Sequence, residues 1–282
     1  MRKLLYVAMF FALCGVIGVT VYNCKANKSS QDTLFSDSLD KDSAAADSME
    51  SIIADTPMPK AADEFFDDFI FNFAANRNLQ MSRIVFPLNV TNGSDKHTLT
   101  KSQWKMEHFF MRQDFYTLIF DNMKQSEVVK DTNINHAIVE KIYLKKKIIK
   151  QYIFDRKNGC WMMTAMNIAG FSASPNASFL NFYNKFSTDE QFQIASVSDP
   201  LHFIGPDPDN DFGTMDGILL PEQWPSFAPP LPSGMIYNII YGKQGKGSNQ
   251  KIFIVRGIAN GLEAEMTFKR KKGKWMLTKL RM

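Results

Sequence analysis

The chain has 282 residues, enough for one or two domains, and 45% of them are apolar, with 24 Phe and 16 Met available for cores. Its 22% charged content is ordinary for a soluble protein. The 33 basic and 29 acidic residues leave a net charge of +4, too weak and too scattered to argue for nucleic acid.

Residues 1–24 read as a targeting segment. Arg2 and Lys3 supply a charged start, and Leu4 to Tyr22 is an apolar run. The run is long for a cleaved signal and just long enough to span a membrane. Cys24 follows it, as the lipidated cysteine of a bacterial lipoprotein would, although Val21, Tyr22 and Asn23 are poor matches to the small residues such a peptidase prefers. Cys14, inside the run, is a worse candidate. A lipid anchor at Cys24, a cleaved signal and an uncleaved helix anchor stay open. Each places the body outside the cytoplasmic membrane, in the periplasm or at the cell surface. Cys160 is then the lone cysteine of the body, so no internal disulfide, zinc pattern or Cys-x-x-Cys redox site can form. Residues 25–60 carry 4 Lys against 7 Asp and Glu, with almost no aromatics, and Pro57 and Pro59 near their end. Such a stretch buries too little apolar surface to offset its ordering entropy and reads as a disordered tether.

The body begins near Ala61 and is written twice. Phe66, Phe69, Ile70 and Phe73 sit at helical spacing, and Leu79, Met81 and Ile84 extend into a second short helix closed by Pro87. Phe179, Phe182, Tyr183 and Phe186, then Phe192, Ile194, Val197 and Pro200, repeat them 113 residues later. Gln80 and Leu88 return as Gln193 and Leu201. Gln103-Trp104 returns as Gln223-Trp224, Tyr116 falls over Tyr237, and Ala137 to Tyr143 answers Ile252 to Ile258. The closing hairpins, Phe154 to Met166 and Phe268 to Leu280, match at an offset of 114. Order and spacing hold over about a hundred residues, so the reading is two similar domains, 61–170 and 175–282.

Two helices followed by antiparallel hairpins make an α+β fold, with helices on one face of a curved sheet. The closing strand is apolar on both faces, with Trp161 and Met163 on one and Cys160, Met162 and Met166 on the other. Trp275 and Leu277 oppose Met276 and Leu280 in the second copy. Helices cover one face. The other needs a partner, and the two sheets are expected to pack on each other about a pseudo-two-fold axis.

Helix, short helix and a bent sheet of hairpins resemble the cone-shaped fold of the nuclear transport factor 2-like superfamily. The blocks Leu79 to Leu88 and Gln223 to Phe227 look like an uncharacterised bacterial family of exported proteins. The resemblance spans roughly 60–282 and implies tandem cone domains packed as a pseudo-dimer, and an exported location. It implies no reaction, because the superfamily holds enzymes, carriers and bare binding modules.

In enzymes of this fold the cone's open end holds a carboxylate or His with a Tyr or Trp donor. The repeated aromatics Trp104, Tyr116 and Trp161, with Trp224, Tyr237 and Trp275, are the pocket candidates, against the plainer reading that they are core. Glu107 and His108 follow Trp104, but Phe227 and Ala228 hold their places in the second copy. His97, His108, His136 and His202 show no metal spacing, and no phosphate loop appears. Gly242 to Gly247 reads as a flexible hairpin tip. Lys145 to Lys147 and Lys269 to Lys274 read as solvated turns. Asp207, Asp209, Asp211 and Asp216 suggest a calcium loop, but the glycine comes one position late and Ile218 stands where the bidentate Glu is needed, so a solvated turn is favoured.

The expectation is an exported, membrane-tethered, non-catalytic module that binds a small molecule or an envelope protein, without cofactor. A small-molecule isomerase or hydrolase using Glu107 or His108 as base is the alternative, and a structural envelope component a third.

Overall fold

Each half of the body opens with two helices, and the second helix is entered by the same device in both. Asn76 caps α2 by accepting the Leu79 N–H at 2.9 Å, and Asp189, 113 residues on, caps α5 by accepting the Phe192 N–H at 2.9 Å. The computed structural model describes residues 63–282 except 208, 243, 244, 246 and 259. The expected leader at 1–24, with Cys24, and the whole of the tether at 25–60 lie outside these residues.

The helices are α1 (Phe66–Ala75), α2 (Arg77–Arg83), α3 (Lys124–Glu127), α4 (Ala177–Phe186), α5 (Glu190–Ala195) and α6 (Trp224–Phe227). The strands of the first half are β1 (Ile84–Asn92), β2 (Asp95–Leu99), β3 (Phe115–Phe120), β4 (His136–Tyr143), β5 (Ile148–Lys157) and β6 (Cys160–Gly170). Those of the second are β7 (Val197–Asp207), β8 (Asn210–Leu219), β9 (Met235–Tyr241), β10 (Gln250–Gly257), β11 (Glu263–Lys271) and β12 (Lys274–Arg281). Ile84 starts β1, so Pro87 lies inside a strand and does not close the helix before it.

All twelve strands form one sheet in the order β2-β1-β6-β5-β4-β9-β3-β10-β11-β12-β7-β8. Two separate sheets packed face to face were expected; the halves instead join edge to edge. Nor is the sheet purely antiparallel, since β1 with β6, β7 with β12 and β3 with β9 run parallel. At the centre the third strands have changed places. β4 pairs with β9 from the second half, and β10 pairs with β3 from the first. The segment holding Gly242 to Gly247 is therefore not a hairpin tip, because β3 lies between the two strands it connects.

Strand alternation explains why this order buries both faces at the centre. Ala137 and Val139 of β4, Ile252 and Ile254 of β10, and Leu118 and Phe120 of β3 join one core with the buried residues of α1. Ile142, Phe253, Val255 and Ile119 join the other core, with Phe179, Tyr183 and Phe186 of α4. The two helix pairs thus sit on opposite faces of a shared sheet. The closing strands need no second cover. A bulge beside Ile153 puts Met166 on the same inner face as Trp161 and Met163, and one beside Thr267 does the same for Leu280 with Trp275 and Leu277.

The exchange also corrects the register of the repeat. Phe253 and Val255 face the second core as Val139 and Lys141 face the first, an offset of 114 (253 − 139, 255 − 141) rather than the 115 that sets Ala137 over Ile252. Likewise Ile119 answers Ile239 (239 − 119 = 120), so Tyr116 is not the counterpart of Tyr237, and both tyrosines face the first core. A slip of one residue turns every side chain to the wrong face. The closing turns do match: Asn158-Gly159 and Lys272-Gly273 both adopt positive φ, as a two-residue hairpin of this hand requires.

The seam itself is thin. β3 and β9 share a single ladder position, Thr117 against Asn238, and side chains complete the junction. Thr117 Oγ1 donates to the Tyr237 carbonyl at 2.7 Å, and the Ile119 N–H donates to Asn238 Oδ1 at 2.9 Å. Asn238 Nδ2 in turn donates at 2.8 Å to Glu140, a carboxyl with 0% exposure that also accepts from Gln151 Nε2 at 2.9 Å. Burial, partly offset by those two amides, raises the pKa of Glu140 above its ordinary value.

Candidate functional site

Gln80 is the one fully buried residue of α2, and the site is built from it. A buried amide must find partners for both its ends. Its Nε2 donates to the carbonyls of Phe73 (2.9 Å) and Glu107 (2.7 Å), and its Oε1 accepts the Trp104 indole (3.1 Å) and the Glu107 N–H (3.2 Å). Those four bonds fix the segment between β2 and β3. Immediately after it Phe109 is held at φ 50°, a left-handed conformation that costs a bulky residue on the order of 1–2 kcal/mol. Its ring is 2% exposed and packs edge-on against Tyr152, with centroids 4.8 Å apart.

The result is a carboxylate carried to the wall of the first core. Glu107 Oε2 accepts the Tyr152 hydroxyl at 2.5 Å, while Oε1 accepts the Tyr237 hydroxyl at 3.2 Å and Lys141 Nζ at 3.3 Å. The side chains of Lys141 and Glu107 are 11% and 18% exposed, so the pair is close to solvent without being in it. Tyr237 reaches Glu107 only because β9 has crossed the seam to lie beside β4.

Register brings in one more charge. Lys150 of β5 stands directly opposite Lys141 of β4, and like charges so placed repel. Glu107 pairs with Lys141, whereas the Lys150 ammonium lies 4.9 Å from the centroid of the Tyr152 ring. Among the described residues no oxygen accepts a hydrogen bond from Lys150.

The electrostatics follow. Burial pushes the Glu107 carboxyl up, but Lys141, the Tyr152 hydroxyl and Lys150 together outweigh it and hold the group below its usual value. Burial likewise drives Lys150 down, reinforced by Lys141 and only partly opposed by Glu107. Tyr152 is raised well above an ordinary phenol by burial and by the neighbouring carboxylate. The arrangement is an ionised carboxylate engaged by three donors, with a second cation beside it. A base working near neutrality needs a raised pKa, and Glu107 has the reverse. His108, beside it, is partly buried at the head of the Phe109–Arg112 turn.

The second core lacks all of this at the same level. Val255 opposes Ala264 where Lys141 opposes Lys150, Met266 replaces Tyr152, and Phe227 replaces Glu107. The scaffold bond survives, for the Trp224 indole donates to Gln193 Oε1 at 2.9 Å.

The other aromatic candidates are interior. Trp161 is fully buried beside Phe66, with the Arg156 guanidinium 4.9 Å over its ring. Tyr116 packs on Phe110, and the Trp275 indole donates to Ser178 at 3.0 Å. Of the six, Trp104 and Tyr237 meet at the Glu107 segment, Tyr116 and Trp161 belong to the same core without touching the carboxylate, and Trp224 and Trp275 lie in the second core. Two open cavities, of about 590 Å³ beside Met123 and Arg256 and about 260 Å³ beside Asp121 and Lys251, are lined by none of the six. The acidic run is drawn out along the β7–β8 hairpin. Asp207 accepts the Asp209 N–H at 3.0 Å, and Asp216 pairs with His202 at 2.6 Å. Sequence reasoning missed Lys141, Lys150 and Tyr152. The available signal was a charged pair, Glu140-Lys141, interrupting a strand whose counterpart is Ile254-Val255.

A family model for a domain of unknown function, DUF4348, matches residues 45–282. The chain belongs to this family. A crystal structure described as an NTF2-like protein from Bacteroides fragilis aligns with a TM-score of 0.74 and 39% identity, over 80% of this chain and 98% of that one. This DUF4348 protein therefore has the NTF2-like fold that its helix and hairpin pattern resembles. Among curated proteins nothing matches it. Among its described residues no helix is long and apolar enough to cross a membrane.

Proposed function

We propose that this DUF4348 protein is an exported, membrane-tethered, non-catalytic binding module, a fused pseudo-dimer of two cones in which the first carries the ligand site. The observation that supports it best is the state of Glu107. Three donors engage it and its pKa is lowered, so it is suited to orienting neighbours and poorly suited to abstracting protons. Both cones are filled by their own aromatics, Phe66, Phe69 and Phe73 in one and Phe179, Tyr183 and Phe186 in the other. That leaves the rim by Glu107, Lys141 and Lys150, rather than a deep pocket, as the place for a small molecule or a peptide group. Support for the tether is the run ending at Cys24 and the polar stretch after it.

The test is a 19F NMR titration of 3-fluorotyrosine-labelled protein with fractionated envelope extract. Saturable shifts of Tyr152 and Tyr237, with the bound molecule recovered unchanged, are expected. Recovery of a chemically altered molecule would establish an enzyme, and silence of both tyrosines to every fraction would remove the first cone as a site. Radiolabelled palmitate should enter the wild type and not Cys24→Ser; equal labelling of both overturns the lipid anchor.

A further inference from the structure

The two lysines at the rim of the first cone form an arrangement that the fold does not need. Lys141 and Lys150 are direct partners in the β4–β5 ladder, yet the same register in β10–β11 is occupied by Val255 and Ala264. Each lysine is largely covered, and one carboxylate serves both. Glu107 has committed its oxygens, Oε1 to Lys141 and Tyr237 and Oε2 to Tyr152. Lys150 is left on an aromatic face, with three N–H donors that no oxygen among the described residues accepts. Removing a cation from water without an anionic partner costs stability. A pair that repels across a ladder, is half neutralised and has an apolar equivalent in the sister cone is a stability cost of the kind that marks a binding site.

Resting on the binding reading above, we propose that the first cone takes a ligand through a carboxylate group, held by Lys150 and, across the ladder, by Lys141. The net charge of the cluster selects the class. At the ladder itself two ammoniums and one carboxylate leave a single positive charge, which a monoanion cancels and a phosphate dianion overshoots, with the Lys146 ammonium further out, 5.7 Å from the Tyr143 ring. Glu107 would repel a second negative charge while keeping Lys141 in place. The half-buried Tyr143 ring beside Lys141, 5.8 Å from its Nζ, offers apolar surface to the body of such a ligand.

The experiment follows the lysine Cε signals of 13C-lysine-labelled protein during titration with propionate, inorganic phosphate and chloride at matched ionic strength, with melting temperature measured in parallel. Propionate should shift Lys150 saturably and raise the melting temperature, with phosphate at least tenfold weaker. Lys150→Met should melt higher than wild type without anion and lose the propionate response, while Lys269→Gln, at an exposed hairpin position, should behave as wild type. An unchanged propionate response in Lys150→Met overturns the proposal, as does a response to phosphate alone. If Tyr152 and Tyr237 respond to a neutral envelope compound while no anion moves Lys150, the carboxylate assignment falls and the binding reading stands. If neither tyrosine nor lysine responds to anything, the binding reading itself falls.

Discussion

The two halves share a frame and differ at the level of Glu107, and again where the buried Lys251, bonded to Asp121 and Asn176, stands in place of Ala137. Both use a glutamine from the short second helix to hold a tryptophan indole, Gln80 with Trp104 and Gln193 with Trp224. Both pack three aromatics of the first helix against the closing hairpin. Where the first cone then places Glu107, Lys141, Lys150 and Tyr152, the second places Phe227, Val255, Ala264 and Met266. The second cone shows that an apolar solution folds. At this level the charges of the first are thus additions to a scaffold whose sister copy packs with apolar side chains instead.

The harshest way to break this comparison is to move one charge without its partners. Val255→Lys puts the first cone's cation into the second, where Phe227 offers no carboxylate. It should cost on the order of 4 kcal/mol, read as a lowered midpoint in urea unfolding. A loss below about 1 kcal/mol would mean that the second cone tolerates charge and the contrast is empty. Next comes the shared glutamine. Gln80→Leu orphans two carbonyls, an N–H and an indole and should cost about 3 kcal/mol, whereas Gln193→Leu, which orphans an indole among the described bonds, should cost about 1 kcal/mol. Equal losses would show that Gln80 does nothing for the Glu107 segment beyond what Gln193 does for its own cone.

Glu107→Gln removes the counter-charge from an opposed lysine pair and should cost about 2 kcal/mol at neutral pH. The pH dependence sharpens the point. The folded pKa of Glu107 lies below the value of 4.5 for a free side chain, so its contribution is present above that value and is lost as pH falls through the folded pKa. The difference between wild type and variant should shrink in acid and vanish below both values. The smallest effect is at the seam. Glu140 has a raised folded pKa, so its contribution is present below 4.5 and is lost as pH rises through the folded value. Glu140→Gln should flatten that decline, so that the variant gains on wild type as pH rises through the folded value. A variant that declines in parallel with wild type would show that Glu140 is not the titrating group.

Much of the frame was legible because it is local. The aromatic spacing of α1 and α4 and the turn-then-Trp of each closing hairpin need only neighbours in the chain. The capping Asn76 and Asp189 are equally local and stand in matched positions. What stayed hidden depends on partners far apart in sequence. Tyr116 and Tyr237 look equivalent because both are tyrosines in similar strands, yet the exchange of β3 and β9 sends both toward one core. Met166 seemed to face away from Trp161 because strict alternation cannot see a bulge. Glu107 was visible beside Trp104, but its meaning comes from Lys141, Tyr152 and Tyr237, which three different strands deliver. Lys150 carried no signal until the β4–β5 register set it against Lys141.

The crossing of the third strands bears on how such a chain can be cut or shared. A gene fragment encoding one half would yield a sheet with its sixth position vacant and one strand, β3 or β9, extended with nothing beside it. Mixed together, the complementary fragments should reassemble by trading that strand, and a fragment alone should seek a copy of itself. Synthesis from the ribosome meets the same condition: β4 waits for a neighbour about a hundred residues downstream, and the first cone closes when β9 emerges.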